Sequence, residues 1–209
     1  NSDLRATEKE PVSLYVYDFD DNFFSDPILR YYKQNQPYSY ASLDELSNQM
    51  PMLRKKFPEY TAFAKSNFQQ IFDEKELARA RRLDVHTFAS AYAVNKGDGT
   101  FNLTALPATA QVAPIFAFAV LETDRDEQVE VLATGNFYNI NPSLGRYDAS
   151  WGHFWDYKSD GDFEAIPFLE SGFASKGEGR GLAVVKAANG RLLVIAARNN
   201  LPIQVFQLR

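Results

Sequence analysis

Cysteine is absent from the 209 residues of this chain, and only two histidines are present. The lack of cysteine excludes a disulfide framework, a thiolate metal site and a cysteine nucleophile. No apolar run approaches the roughly 18 residues that a membrane-spanning helix needs, so the sequence predicts no transmembrane segment. Positive charge is also scarce, because 22 Lys and Arg stand against 27 Asp and Glu, a net charge of −5. A nucleic-acid partner is therefore not expected.

Aromatic residues, by contrast, are abundant: 17 Phe, 11 Tyr and 2 Trp make up 14% of the chain. With 45% hydrophobic residues the chain has enough apolar surface for a core, and its aromatic content favours half-buried strands over a helical bundle. We therefore predict one globular unit, residues 1–209, of mainly β structure. Because the chain opens on Asn-Ser-Asp-Leu-Arg rather than on a signal peptide, we expect it to be a piece of a longer protein.

Alternating apolar and polar residues between turn signals predict pairs of short strands along most of the chain. The turns that separate the paired strands are rich in Asp, Asn and Gly. The predicted pairs are residues 12–18 with 27–32, 87–94 with 100–104, 115–121 with 131–134, 151–157 with 162–166, and 182–186 with 192–197.

A helical period replaces the strand pattern between residues 41 and 82. Ser42 and Glu45 have the spacing of a capping box, and Asp73 with Glu76 repeats that spacing. Pro58 is expected to separate two of the helices. We predict that this stretch is an insertion packed on the outside or the rim of the sheets.

An acidic loop between the first two strands has the residue types that bind calcium. Oxygen ligands would come from its positions 1, 3, 5, 7 and 9, counted from the first Asp, with a backbone carbonyl at position 7. The glycine expected at position 6 is replaced by Phe23. The predicted ligands are Asp18, Asp20, Asn22, the carbonyl of Phe24, and Asp26.

Two further acidic segments are weaker candidates for a metal site. Residues 122–130 lack the glycine and contain Arg125, so we interpret them as a metal-free relic. Residues 156–162 place Lys158 where a ligand is required and are predicted to form a plain turn. His86 and His153 have no nucleophile or carboxylate at a recognisable spacing, so both are interpreted as structural.

Three motifs together carry a resemblance to a known family: the acidic loop before Pro27, the turn at residues 95–101 (NKGDGTF), and residues 135–138 (GNFY) with 141–150 (NPSLGRYDAS). The chain resembles the C-terminal portion of FG-GAP/VCBS-repeat proteins of the ASPIC/UnbV-associated type from Bacteroidetes. The resemblance implies a β-propeller fold, calcium in the blade loops, and a location outside the cytoplasm, frequently as a surface lipoprotein.

Similar segments at residues 131–136 and 194–199 indicate a repeat of roughly 60 residues, which suits propeller blades. With the helical insertion set aside, the chain supplies about three blades, fewer than a closed propeller needs. The expected fold is therefore a partial β-propeller with an α-helical insertion. The missing blades are expected from upstream residues of the parent protein or from a partner chain.

Ligand binding is predicted for the loop around residues 145–151, whose residues are Arg146, Tyr147, Asp148 and Trp151. A charge pair between Arg146 and Asp148 would fix the shape of this loop. Aromatic side chains at a loop face can also stack on sugar rings, although core packing is their more common role. Six aromatic residues are candidates for such stacking: Tyr31, Tyr32, Tyr138, Tyr147, Trp151 and Trp155.

The predicted function is a non-catalytic binding or assembly module that presents loops to a protein or glycan partner at the cell surface or outer membrane. One alternative is a carbohydrate-active hydrolase or lyase that uses paired carboxylates, for which Asp148 and Asp156 are an example. A second alternative is an accessory subunit of an outer-membrane nutrient-uptake complex, a hypothesis that rests on association alone.

Overall fold

The computed structural model describes residues 4–122, 129–142, 145–158 and 161–207. The protein is mainly β, with 40% strand and 19% helix, and its antiparallel sheets are not closed within the described residues. Contacts divide the chain into two compact units, Ser2–Phe88 and Ala89–Arg209. The single domain predicted over residues 1–209 stays a prediction.

The N-terminal unit contains one four-stranded antiparallel sheet with the order β3-β2-β1-β4. Gln34 and Asn35 connect β2 to β3 with φ values of 51° and 61°, the left-handed conformation of a tight hairpin turn. The strands are β1 (Val12–Tyr17), β2 (Asp26–Lys33), β3 (Gln36–Ser39) and β4 (Arg81–Val85).

Five short helices lie between β3 and β4, as the helical period predicts. The capping boxes at Ser42 and Asp73 are both formed, and Pro58 lies in the break between the second and third helices. The helical segment predicted to end at residue 82 ends earlier, because Arg81 and Arg82 belong to β4 and pair with β1. The helices are α1 (Leu43–Gln49), α2 (Met52–Lys56), α3 (Tyr60–Lys65), α4 (Phe68–Ile71) and α5 (Glu74–Arg79).

The helical segment packs on the sheet and completes its core. Only three residues of the main buried cluster come from β1, β2 and the loop between them: Tyr15, Phe19 and Ile28. The other eight come from the helical segment, so this insertion is a structural half of the N-terminal unit. They are Leu43, Leu46, Met50, Leu53, Phe57, Phe68, Ile71 and Phe72.

The C-terminal unit contains the hairpin β5-β6, a four-stranded sheet with the order β10-β9-β8-β7, and a three-stranded sheet with the order β11-β12-β13. A short 3-10 helix follows β6 at Ala108–Gln111, and α6 (Phe168–Ser171) follows β10. The strands are β5 (Ala91–Asn95), β6 (Phe101–Ala105), β7 (Ile115–Leu121), β8 (Glu130–Gly135), β9 (His153–Tyr157), β10 (Phe163–Ala165), β11 (Gly179–Lys186), β12 (Leu192–Arg198) and β13 (Leu201–Gln207).

All five predicted strand pairs are confirmed as antiparallel pairs. Strands β3, β4 and β13 were not predicted. Two apolar clusters form the core of the C-terminal unit, one centred on Leu132, Phe173 and Val194 and the other on Trp155. No helix in the described part of the chain has the length and apolar character needed to span a bilayer.

Candidate functional site

The acidic loop between β1 and β2 brings together three of its predicted ligands. Asp26 opens β2 opposite Tyr17, and its carboxylate meets those of Asp18 and Asp20. One oxygen atom from each of the three carboxylates lies within 4.8 Å of the other two. These three residues are therefore a candidate metal cluster, made of the carboxylates that the sequence predicts as ligands.

Side chains of the loop also hold its backbone. Asp18 accepts hydrogen bonds from the amides of Asn22 (2.9 Å) and Phe23 (2.8 Å), and Asn22 Oδ1 accepts one from Phe24 N (2.8 Å). Asp26 Oδ2 accepts one from Phe19 N at 3.0 Å. These bonds give the loop a fixed shape, so its carboxylates are held together before any ion binds.

The loop departs from a standard calcium loop at position 6, where the sequence has Phe23 instead of glycine. Phe23 has a φ of 70°, in the left-handed region that glycine occupies without strain and an aromatic residue does not. The side chains of Phe23 and Phe24 are 96% and 75% exposed. The backbone at Phe23 thus adopts the left-handed conformation that is expected of a glycine at position 6.

The electrostatics of the loop favour a positive partner. Burial raises the pKa of Asp26, and the charges of Asp20 and Asp18 raise it further, against the lowering effect of the bond from Phe19 N. Asp20 Oδ1 is buried and has no hydrogen-bond partner among the described residues. A bound divalent cation would satisfy this oxygen and relieve the repulsion between the carboxylates.

The predicted ligand-binding residues lie near one another along the chain but have different surroundings. Tyr147 forms an isolated β-bridge with Phe137, and the guanidinium of Arg146 lies 5.0 Å from the centroid of the Tyr138 ring. In the described ranges Arg146 and Asp148 form no ion pair, so the expected charge pair is wrong. The loop shape is fixed by backbone bonds and ring packing instead.

Trp151 is the member of this set with the best-defined contacts. Trp151 is 44% exposed. Its ring packs against Phe168 with 5.2 Å between centroids, and the ammonium of Lys176 lies 3.7 Å from its ring centroid. Trp155, by contrast, is only 1% exposed and belongs to the core. A role for Arg146, Tyr147, Asp148 and Trp151 in ligand binding stays a prediction.

Asn136 organises this loop, and sequence reasoning did not single it out as a functional residue. It is buried with a φ of 75°, and its Nδ2 donates to the carbonyls of Ser150 (2.8 Å) and Gly177 (2.9 Å). Its Oδ1 accepts from Ser150 N at 3.0 Å. The available signal was the Gly-Asn pair that ends β8, because asparagine tolerates the left-handed conformation.

Glu178 anchors the same loop from the opposite side. Its carboxylate accepts from Tyr138 N (2.7 Å), Asn199 Nδ2 (2.9 Å) and the guanidinium of Arg180 (2.8 Å). The bond from Tyr138 N is the main cause that lowers the pKa of Glu178, with Asn199 and Arg180 acting in the same direction. All three donors belong to the protein itself, so we interpret Glu178 as a structural residue.

Ser150 and His153 form the closest arrangement to a nucleophile with a base, because His153 Nε2 lies 3.0 Å from Ser150 Oγ. Both residues are buried, and Ser150 Oγ also accepts from Gly152 N. Burial lowers the pKa of His153 to about 4. Within the described residues no carboxylate orients this histidine, so the pair lacks the third member and the access that acyl transfer requires.

The described residues of the two weaker acidic segments form no second carboxylate cluster. Residues 123–128 of the second segment lie outside the described residues, and Glu130 is buried at the start of β8. In the third segment Lys158 pairs with Asp156 and, at 3.2 Å, with Glu164. The ammonium of Lys158 therefore lies beside the carboxylates that a metal ion would need. This agrees with the prediction that the segment is a plain turn.

Comparisons of this chain with protein-family models, with curated proteins and with solved structures give no match.

Proposed function

We propose that this chain is part of a larger β-propeller of the FG-GAP/VCBS type and acts as a non-catalytic module for binding or assembly. The arrangement of its sheets supports this proposal. The sheet β10-β9-β8-β7 is a four-stranded antiparallel meander, and β11-β12-β13 is a three-stranded one. Radially repeated antiparallel sheets of this kind build propellers, and with the N-terminal sheet they agree with about three blades.

A recurrent hairpin also supports a repeat. In each unit a strand runs into an acidic loop and the next strand opens on a buried carboxylate. Asp26 opens β2 at 5% exposure, and Glu130 opens β8 at 5% exposure. Buried acidic residues are rare, so their recurrence at the same place in two hairpins favours a common structural unit.

The observation that carries the proposal is the apolar surface on two edge strands of the C-terminal unit. Phe116, Phe118 and Val120 alternate along β7 and are exposed, with Phe118 at 69%. On β13 the exposed residues include Leu201, Ile203 and Val205. Edge strands with exposed apolar faces are normally covered in a finished fold, and neighbouring blades would cover them here.

Calcium is the cation we propose for the acidic loop, in a structural role. The carboxylate cluster and the orphaned Asp20 oxygen support it, because hard oxygen ligands at one loop suit calcium. The proposed ligands are Asp18, Asp20 and Asp26, with Asn22 and the Phe24 carbonyl as further predicted ligands.

The proposed location, outside the cytoplasm at the cell surface or outer membrane, rests on the family resemblance. The partners we propose are the remaining blades, from the parent protein or another chain, and a protein or glycan ligand. The hydrolase and nutrient-uptake alternatives also stay predictions.

Light scattering during gel filtration tests the partial propeller. At about 100 µM the 209-residue chain should self-associate through the exposed strand faces, as apolar patches of this kind promote. A Phe118→Lys, Ile203→Lys double variant should be monomeric without a lower melting temperature. Phe23→Lys, which changes a 96% exposed aromatic residue outside these strands, is the matched control and should associate like the wild type. A wild-type chain that stays monomeric would contradict the proposal.

A further inference from the structure

A pocket of about 410 Å³ lies in the N-terminal unit, separate from the acidic loop. Its walls come from the hairpin β2-β3 and from helices α1 and α3, and its floor includes the buried side chains of Leu43 and Ile71. The volume falls within the range of small-molecule binding sites. Four tyrosines dominate the lining: Tyr31, Tyr38, Tyr40 and Tyr60.

Three of these tyrosines form one continuous aromatic surface. Tyr31 and Tyr38 are directly paired across β2 and β3, with ring centroids 6.3 Å apart, and Tyr40 meets Tyr31 edge to face at 6.0 Å and 88°. The three rings therefore lie next to one another at the pocket, and aromatic rings at a pocket offer faces on which a flat apolar ligand surface can stack.

Polar groups lie beside this surface and are held in place. Glu45 accepts both hydrogen bonds from Ser42 through Oε2, and these bonds lower the pKa of Glu45. Oε1 accepts no hydrogen bond within the described residues. The hydroxyl of Tyr60, which also lines the pocket, donates to Asp44 at 2.9 Å and accepts from Arg54 at 3.1 Å.

We infer that this pocket binds a neutral saccharide. A pyranose ring has a flat apolar face that suits the tyrosine surface and hydroxyl groups that suit the carboxylate of Glu45 and the tyrosine hydroxyls. The ionised Glu45 disfavours phosphate-bearing and acidic ligands. The inference rests on the proposed binding role and names a glycan as the ligand. It does not depend on the propeller or on calcium.

Isothermal titration of the 209-residue chain with a panel of neutral hexasaccharides tests the inference. The panel is cellohexaose, laminarihexaose, maltohexaose, mannohexaose and xylohexaose. At least one should bind, and Tyr40→Ala should weaken that binding by about tenfold, as expected for loss of one stacking ring. Glu45→Gln should weaken it, whereas Tyr31→Phe should retain most of the affinity because the ring is kept. Phe101→Ala, which removes a 61% exposed aromatic ring in the other unit, is the control and should bind like the wild type.

Three outcomes would overturn the inference: no panel member binds at about 10 mM, Tyr40→Ala binds as well as the wild type, or tetramethylammonium binds in competition with the sugar. Melting temperatures show whether each variant is folded, and Tyr40, at 39% exposure, is more exposed than Tyr31 and Tyr38. The Phe118→Lys, Ile203→Lys variant should keep its sugar affinity. Failure of the strand-face experiment and failure of the sugar experiment are therefore distinguishable.

Discussion

His153 should make the C-terminal unit sensitive to acid. Its imidazole is 9% exposed, stacks on Trp155 with 4.9 Å between ring centroids and 9° between planes, and contacts Ser150 Oγ through Nε2. Burial lowers its pKa from 6.5 to about 4. The folded unit therefore holds this side chain in its neutral form.

The sign and size of the effect follow from the two pKa values. Between pH 6.5 and 4 the unfolded chain binds a proton that the folded chain does not, so stability falls as the pH falls. The loss is about 2 kcal/mol at pH 5 and approaches about 3 kcal/mol below pH 4. Above pH 7 the histidine contributes no pH dependence.

Urea unfolding at pH 7.5 and pH 5.0, followed by tryptophan fluorescence, measures this loss. Both tryptophans, Trp151 and Trp155, lie in the C-terminal unit, so the signal reports that unit. His153→Phe keeps the stacking on Trp155 and removes the titrating group, although it also removes the contact with Ser150. The free energy of unfolding should therefore fall by about 2 kcal/mol less in the variant than in the wild type between these two pH values.

His86→Phe is the matched control for this experiment. His86 is an exposed histidine that lies 3.5 Å from Glu8, and its replacement should leave the pH dependence of the C-terminal unit unchanged. Carboxylates that titrate in the same range are present in all three proteins, so their contributions cancel in the comparison. A His153→Phe variant that loses as much stability as the wild type would show that the burial of His153 does not lower its pKa.

Three further outcomes are expected. Millimolar Ca²⁺ should raise the melting temperature of the wild type but not of Asp20→Asn, whereas a rise in both proteins would place the ion elsewhere. Phe23→Gly should raise the free energy of unfolding of the N-terminal unit, because glycine removes about 1–2 kcal/mol of left-handed strain from the folded loop; an unchanged free energy of unfolding would show that Phe23 is not strained. Asn136→Ala should cost about 2–4 kcal/mol in urea unfolding, because three buried groups lose their partners. Asn200→Ala, at an exposed left-handed position, controls for the backbone, and equal losses in the two variants would contradict the role of the Asn136 side chain.

Local features were predictable because their causes lie within a few residues. The Ser42–Glu45 and Asp73–Glu76 spacings each predicted a capping box, and both boxes are formed. Turns that contain Gly likewise located three of the five strand pairs, and acidic segments between two strands located the other two. The predicted end of the helical segment at residue 82 was wrong, because Arg81 and Arg82 belong to β4. This strand forms by pairing with β1, more than sixty residues away, and local strand propensity does not predict such a distant pairing.

The acidic loop shows how much of a site the sequence alone determined. Its composition identified Asp18, Asp20 and Asp26, since oxygen ligands of one loop are close in sequence as well as in space. Only the tertiary structure decided that Asp26 is buried and that an oxygen of Asp20 has no hydrogen-bond partner among the described residues. These properties depend on what packs around the loop.

Sites assembled from distant segments were decided by the tertiary structure alone. The tyrosine pocket needs the register that places Tyr31 beside Tyr38 and the helical segment that brings Tyr60 to them. Asn136 likewise gains its partners from residues 14 and 41 positions further along the chain. The sequence fixes residue types and local turns, which are short-range properties. Which distant side chains meet follows from burial of the core, a property of the whole chain.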